Sequence, residues 1–340
     1  MKKWQKINKI EAKELLDKAL FKTFFHEIEW HEFLEKQFKW LKFEYYLYRN
    51  EALLPLGRIK TCLPAGRLIS LPFCEYGGPL PLKKEINFEE FEKDILNEFN
   101  NIKIRFHPQI LLMEEVEPPT GGSTSSISTH WIEDLDKITS EELWESLRKT
   151  LRHEIKHAQE SGIEIKKSAN QKELKHFYNL YVANLRRKKT VPYPWRVIQF
   201  LCQNSSSELL LAFYKGRIIG GDLFLNYNSF VHYFLSATDY KYRNFSASHL
   251  LLWEKIKSLI GKDIILDLGA SPRGSALEVF KRGWRGTEYP IYQICLPAGR
   301  QGIKREDEFL RSSKLIRNIF GLMPSFLIKK LSPYLIKYRL

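Results

Sequence analysis

Apolar and polar positions recur along this chain with two periods, and the change from one to the other divides it. Leu143, Leu147, Leu151, Ile155 and Ala158 form one apolar stripe. A capping-box pair (Thr139, Glu142) precedes the stripe and Gly162 follows it, which predicts a single long helix. Leu174, Phe177, Tyr181 and Leu185 repeat the spacing from Asn170 to Arg187 and predict a second helix. The period then shortens to two. Residues 208–214, 217–225 and 230–238 read as strands, with turns at Lys215-Gly216 and from Asn226 to Ser229. Ser246 or Ser248 is placed to cap a helix ending at Gly261, and Ile264 to Leu268 reads as a buried strand. This order predicts an α+β layer over a mostly antiparallel sheet.

The N-terminal part reads less regularly. Residues 1–50 predict a helix or two and a first strand in which Phe43, Tyr45 and Leu47 alternate with polar neighbours. Residues 68–82 predict a short strand running into a Gly77-Gly78-Pro79 turn. Residues 87–101 predict a charged amphipathic helix followed by a strand around Ile104, and residues 117–128 a flexible loop. A length of 340 residues suits about two domains. The expected boundaries are 1–150 and 151–302, followed by a basic amphipathic segment, 303–340, that completes the first half.

Composition adds constraints. The 54 Lys and Arg outnumber the 40 Asp and Glu, giving +14. Such an excess predicts an anionic partner: nucleic acid, a phosphorylated substrate or an acidic membrane surface. No window approaches the ~18 apolar residues of a membrane span. Met1 to Leu20 carries charges throughout and does not read as a secretory signal, so a cytoplasmic setting is expected. The four cysteines lack a C-x-x-C pair, which argues against a zinc ribbon or a disulfide scaffold. The hexapeptide Cys-Leu-Pro-Ala-Gly-Arg occurs at 62–67 and again at 295–300, and reads as two surface loops.

Four local patterns carry chemistry. His153-Glu154-Ile155-Lys156-His157 spells the H-E-x-x-H of zinc proteases. With Leu151, Ile155 and Ala158 facing the core, both histidines fall on the opposite, solvated side of the helix, so no metal site is expected. Arg186 to Lys189 places four cations before Val191-Pro192-Tyr193-Pro194-Trp195. This fits either a charged helix end or a phosphate clamp in which Arg187 and Tyr193 contact substrate. Leu266-Asp267-Leu268-Gly269-Ala270-Ser271 ends a strand with a carboxylate and small residues that let backbone approach a ligand. Phe280-Lys281-Arg282-Gly283-Trp284 sets a cation among aromatics, where it could stabilise charge on a reacting carbonyl oxygen.

Leu71-Pro72-Phe73-Cys74-Glu75-Tyr76-Gly77-Gly78-Pro79-Leu80 resembles a segment of FemAB-like proteins, in particular the group associated with exosortase and exopolysaccharide systems. The Asp134-to-Gly162 helix, Thr190 to Trp195, the strand Val231 to Thr238, Asp267-Leu268-Gly269, Phe280-Lys281 with Trp284, and Ile319 to Tyr334 fit the same pattern in order. The resemblance covers nearly the whole chain. It implies tandem GNAT-like halves, with mixed, mostly antiparallel sheets flanked by helices, that transfer an aminoacyl or acyl group to an amine. Lys281 is the implied catalytic residue, and the implied substrate contacts are Arg187, Tyr193, Tyr233, Arg243, Asp267, Ser271, Arg273 and Trp284. No metal and no permanent cofactor are implied; aminoacyl-tRNA or acyl-CoA would serve as donor. The chain departs from the pattern where Ala270 replaces an arginine, for which Arg273 could substitute, and where Arg285 separates Trp284 from Gly286.

Two functions of different class follow. The first is an acyltransferase acting on a cell-envelope precursor of peptidoglycan or exopolysaccharide, with tRNA as a donor partner. Acetyl-CoA sites of GNAT proteins use a glycine-rich turn before a helix, whereas Tyr242 to Ser248 here contains no glycine. No histidine base emerges from the sequence. The second is a non-catalytic protein at the inner face of an anionic membrane. Residues 303–340 carry nine Lys and Arg against three acids, interleaved with Phe309, Leu315, Ile319, Phe326, Leu327 and Leu335.

Overall fold

The structure, a computed structural model, describes residues 3–60, 66–84, 86–113, 127–168, 170–296 and 314–339. In chain order the elements are β1 (Trp4–Ile7), α1 (Lys9–Leu16), α2 (Ile28–Gln37), β2 (Leu41–Tyr48), β3 (Ala52–Ile59), β4 (Arg67–Ile69), β5 (Leu80–Pro81), α3 (Phe88–Glu98), β6 (Ile102–Arg105) and α4 (Pro108–Met113). They continue with β7 (Ile127–Ile132), α5 (Ser140–Ser146), α6 (Lys149–Glu160), β8 (Ile163–Lys167), α7 (Gln171–Arg187), α8 (Trp195–Gln203), β9 (Ser207–Tyr214), β10 (Arg217–Tyr227) and β11 (Phe230–Thr238). The last are α9 (Ala247–Leu259), β12 (Ile265–Asp267), β13 (Ser271–Pro272), α10 (Ala276–Arg282), β14 (Thr287–Pro290), β15 (Gln293–Cys295), α11 (Lys314–Leu322) and α12 (Ser325–Leu335). The chain forms two compact units, 1–128 with 289–312, and 129–288 with 313–339.

In unit 1 the strands run in the order β1-β2-β3-β4-β6-β15, with β5 on β3. All of these pairs are antiparallel except β4 with β6. The expected alternation in β2 holds for Phe43 and Tyr45 but slips at its end, where Tyr48 is buried and Leu47 is half-buried. Asp94 on α3 explains the slip, because the Tyr48 hydroxyl donates to it at 3.0 Å. Two buried histidines brace the other end of this unit. His31 meets Tyr45 Oη and Phe25 O, and His26 meets Thr23.

In unit 2 the order is β13-β7-β12-β11-β10-β9-β8, with β14 on β7. Strands β8 to β11 are antiparallel, β11 and β12 are parallel, and β12 pairs antiparallel with β7. Helix α7 can press on this sheet because Gly221 has no side chain. A Cβ there would lie 2.9 Å from Phe177 Cδ2 and 2.7 Å from Leu211 Cδ2. The other face of the sheet packs on α9, against which α6 also rests through Leu151, Ile155 and Ala158.

Four expectations are corrected. The Thr139 capping box and the apolar stripe are present, but extended backbone at Leu147 (ψ 149°) divides the long helix into α5 and α6. The boundary lies near residue 129 rather than 151, because β7 pairs with β12 through Leu266↔Ile132 and Asp267↔Trp131. The described C-terminal helices do not complete unit 1. Ile328, Ser332 and Ile336 form their buried stripe, Lys329 Nζ donates to Asn179 Oδ1 of α7 at 2.6 Å, and Arg186 Nε donates to Gly321 O at 3.2 Å. The last strand of unit 1 is instead β15, at residues 293–295. Ser246 precedes α9 with a φ of 53° and makes no capping hydrogen bond, because its hydroxyl is turned to Glu154. Most of both hexapeptide copies, and all of 117–126, lie outside the described residues.

Candidate active site

The strand β12 ends in Asp267, whose side chain is fully buried. Its carboxylate accepts from three directions. Thr129 Oγ1 on β7 donates at 2.6 Å, the Gly269 amide at 2.8 Å and His232 Nδ1 on β11 at 2.7 Å. Because a carboxylate only accepts, the His232 Nδ1 must carry the proton. Burial, and then the nearby Lys281 charge, push the His232 imidazolium down to a pKa of about 3, so the ring is neutral at pH 7. Gly269 closes the turn with φ 76°, a left-handed conformation that suits glycine.

This turn seats Lys281. The lysine lies in the last turn of α10, is buried, and donates from Nζ to Gly269 O at 2.7 Å and Ala270 O at 3.0 Å. A chain of contacts thus runs from Thr129 and His232 through Asp267 and its turn to the ammonium. Two neighbours add charge. Glu278, on the same helix and buried, lies 3.7 Å from His130 Nε2 and 3.7 Å from Arg282 Nε. Burial holds His130 below its ordinary pKa. Ser271 is also buried, and its hydroxyl has no hydrogen-bond partner.

The predicted site residues fall into groups. Asp267, Ser271, Lys281 and Trp284 belong to this region. Trp284 is buried beside His249 and Phe280. Asp267 is committed to the chain's own groups and does not offer a free oxygen to substrate. Arg273 is exposed and pairs with Glu288 at 2.7 Å, so it does not take the place of the missing arginine beside Lys281. Arg187 and Arg243 both lie over the ring of Tyr240, at 4.0 and 4.3 Å, a convergence that the sequence did not suggest. Tyr193 stacks on Phe234 and lies beneath Arg339.

Tyr233 stacks on Phe224 on the α9 side of the sheet, where Asp222 is also buried. Neither oxygen of Asp222 has a well-formed hydrogen bond. Burial pushes its pKa up to about 7, against a smaller opposing pull from the Ser236 and Tyr233 hydroxyls.

Sequence reasoning missed His232, Thr129 and Asp222. A carboxylate inside the apolar run from Ile218 to Leu225 was a visible signal for Asp222. Thr129 gave none, since it meets Asp267 across 138 residues of chain. His153 and His157 are exposed as expected, and no group of metal-ligating side chains occurs among the described residues.

Helix α6 reaches the turn that precedes α9. The Ser246 hydroxyl donates to the Glu154 carboxylate of α6, and His157 Nε2 meets Asn244 O at 3.1 Å. A carboxylate beside a helix N-terminus complements its dipole.

Comparison with known proteins agrees with this architecture. Residues 145–282 match the family model of the acetyltransferase (GNAT) domain. No curated protein matches the sequence. Among solved structures, FemX is similar with a TM-score of 0.57 at 12% identity, over 86% of this chain and 97% of that one. The C-terminal domain of a putative lysylphosphatidylglycerol synthetase from Agrobacterium fabrum is similar with a TM-score of 0.57 at 11% identity, over 89% and 96%. L-PGS from Bacillus licheniformis gives 0.54 at 12%, over 94% and 99%. At such identities the likeness is one of fold. Together with the domain match, these findings show a GNAT-type fold for this chain, with residues 145–282 matching the acetyltransferase (GNAT) domain.

Proposed function

We propose that the protein is an N-acyltransferase that moves an aminoacyl group onto an amine of a cell-envelope precursor, with Lys281 as the catalytic residue. The observation that carries this reading is the seat of Lys281: a buried ammonium held by the Gly269 and Ala270 carbonyls above an Asp267–His232–Thr129 network. Attack of an amine on an ester or thioester carbonyl places negative charge on the carbonyl oxygen. A fixed cation in a buried site stabilises that oxyanion without reorganising. As the tetrahedral intermediate collapses the donor's acyl C–O (or C–S) bond breaks, and the amine's proton passes, directly or through water, to the departing hydroxyl (or thiol).

Aminoacyl-tRNA is the favoured donor over acyl-CoA. The turn before α9 has no glycine and sets the Glu154 carboxylate beside the helix end, which disfavours a pyrophosphate there, and the excess of +14 suits a polyanion. The test supplies purified protein with charged tRNA or labelled acyl-CoA and an amine acceptor from peptidoglycan or exopolysaccharide precursors. Transfer from charged tRNA is expected, with Lys281→Ala slowing it about 10²–10³-fold. Transfer from acyl-CoA alone would overturn the donor, and transfer from neither would overturn the reading.

A further inference from the structure

The described part of the C-terminal segment has two unlike faces. Ile328, Ser332 and Ile336 turn inward, and α12 packs on α7. Phe326, Lys330 and Tyr334 recur four residues apart on the outward side. Phe326 is 67% exposed, Tyr334 69%, and Leu322 at the end of α11 81%. Large apolar side chains this open cluster here more than anywhere else among the described residues. They alternate with charge of one sign. Residues 318–339 contain Lys329, Lys330, Lys337 and Arg339 and no Asp or Glu. The α7 end that meets these helices adds Arg186 and Lys189, of which Lys189 donates to Asn318 Oδ1 at 2.5 Å.

We propose that helices α11 and α12 form a membrane-docking surface that lays Leu322, Phe326 and Tyr334 into the headgroup boundary of an anionic bilayer while Lys330 and Lys337 meet lipid phosphates. Two features favour lipid over other occupants. A second copy of the same surface would bring like charges together with no acid to offset them. A nucleic-acid backbone would satisfy the cations but leave Leu322 and Phe326 in water, whereas a bilayer surface takes both groups at once. The proposal goes beyond acyl transfer and does not depend on Lys281.

Flotation of the full chain with vesicles tests it. The chain is mixed with phosphatidylcholine vesicles with or without about one-third phosphatidylglycerol, at low and high salt. Wild type is expected to float with the anionic vesicles, less so at high salt, and to stay behind with pure phosphatidylcholine. The Leu322→Glu/Phe326→Glu double variant should lower binding at least about tenfold. Lys330→Glu should lower it at least about fivefold. Both variants alter exposed positions, so an unchanged melting temperature verifies the fold, and Lys330→Glu alone remains decisive if the double variant does not fold. Lys281→Ala should float as wild type does. Absence of wild-type flotation, or full binding by the folded double variant, overturns the proposal. So does a result in which Lys330→Glu weakens tRNA binding in a gel shift while vesicle binding is untouched, since the surface would then serve nucleic acid.

Discussion

Asp222 brings a carboxyl into the middle of a strand where its oxygens find no well-formed partner, so its charge state is coupled to folding. Its native pKa of about 7 lies above the ordinary value of 3.8. Between those values the native state holds the proton more tightly than the unfolded chain. Wild-type stability therefore falls as pH rises through this window and the loss is complete above pH 7. Asp222→Asn has no such dependence. The unfolding free energy of the variant relative to wild type is expected to grow by about 2–3 kcal/mol from pH 5 to pH 8, measured by denaturant titration. A constant difference would mean that the carboxyl is not buried as described. At this scale the sequence showed some residues and hid others. Asp267 and Lys281 stood in recognisable local runs. His232 looked like one more residue of a strand, and its role depends on Asp267 from a different strand and Thr129 from a third.

Elements were more legible than their joints. The stripe from Leu143 to Ala158 is buried as its spacing predicts; of Leu174, Phe177, Tyr181 and Leu185 the first three are buried and Leu185 is half-buried. The break at Leu147 was invisible because no glycine or proline marks it and the stripe continues across it. The fit of α7 to its sheet was also hidden, since it depends on what a missing side chain permits. Gly221→Ala would place a methyl group against Phe177 and Leu211, and the carbonyl of Leu210 is 3.0 Å away. Overpacking of this kind costs about 1–3 kcal/mol. Denaturant unfolding should show that loss; no loss would mean that α7 moves aside freely. The pairing of Glu154 with Ser246 shows another limit of pattern reading. The H-E-x-x-H run read as a solvated helix face, yet its carboxylate and second histidine both reach the turn that precedes α9.

Across the whole molecule the two units should respond differently to acid. In unit 1 burial pushes His26 and His31 down to pKa values of about 3, from an ordinary 6.5. Between those values the unfolded chain binds more protons, so stability is lost as pH falls below about 6.5. From pH 7 to pH 5 the two together cost about 4 kcal/mol. In unit 2 the same loss at His232, with smaller losses at His130 and His249, is opposed by Asp222, which gains over that range. Scanning calorimetry at pH 7 and pH 5 should show a lower first transition at pH 5, and proteolysis at pH 5 should cut unit 1 before unit 2. Equal transitions at the two pH values would contradict the burial of these rings. The concentration of positive charge in residues 303–340 was readable in the sequence, and residues 318–339 within it hold no acid, but the crossing of the chain between units was not readable. The residues that complete unit 1 look like any other short strand, and only their pairing with β6 assigns them.

That pairing sets a timetable for synthesis. Strand β6 ends at Arg105, while its neighbour β15 begins at Gln293. At usual elongation rates the intervening chain, roughly 190 residues, takes about 10–40 s to emerge. For that interval the backbone of β6 has β4 on one side and an open edge on the other, the kind of edge that recruits strands from neighbouring chains. Nearly all of unit 2 leaves the ribosome within the same interval. The unit that starts later in the sequence can therefore finish its sheet first, and slow translation between residues 105 and 293 should lower the yield of soluble protein.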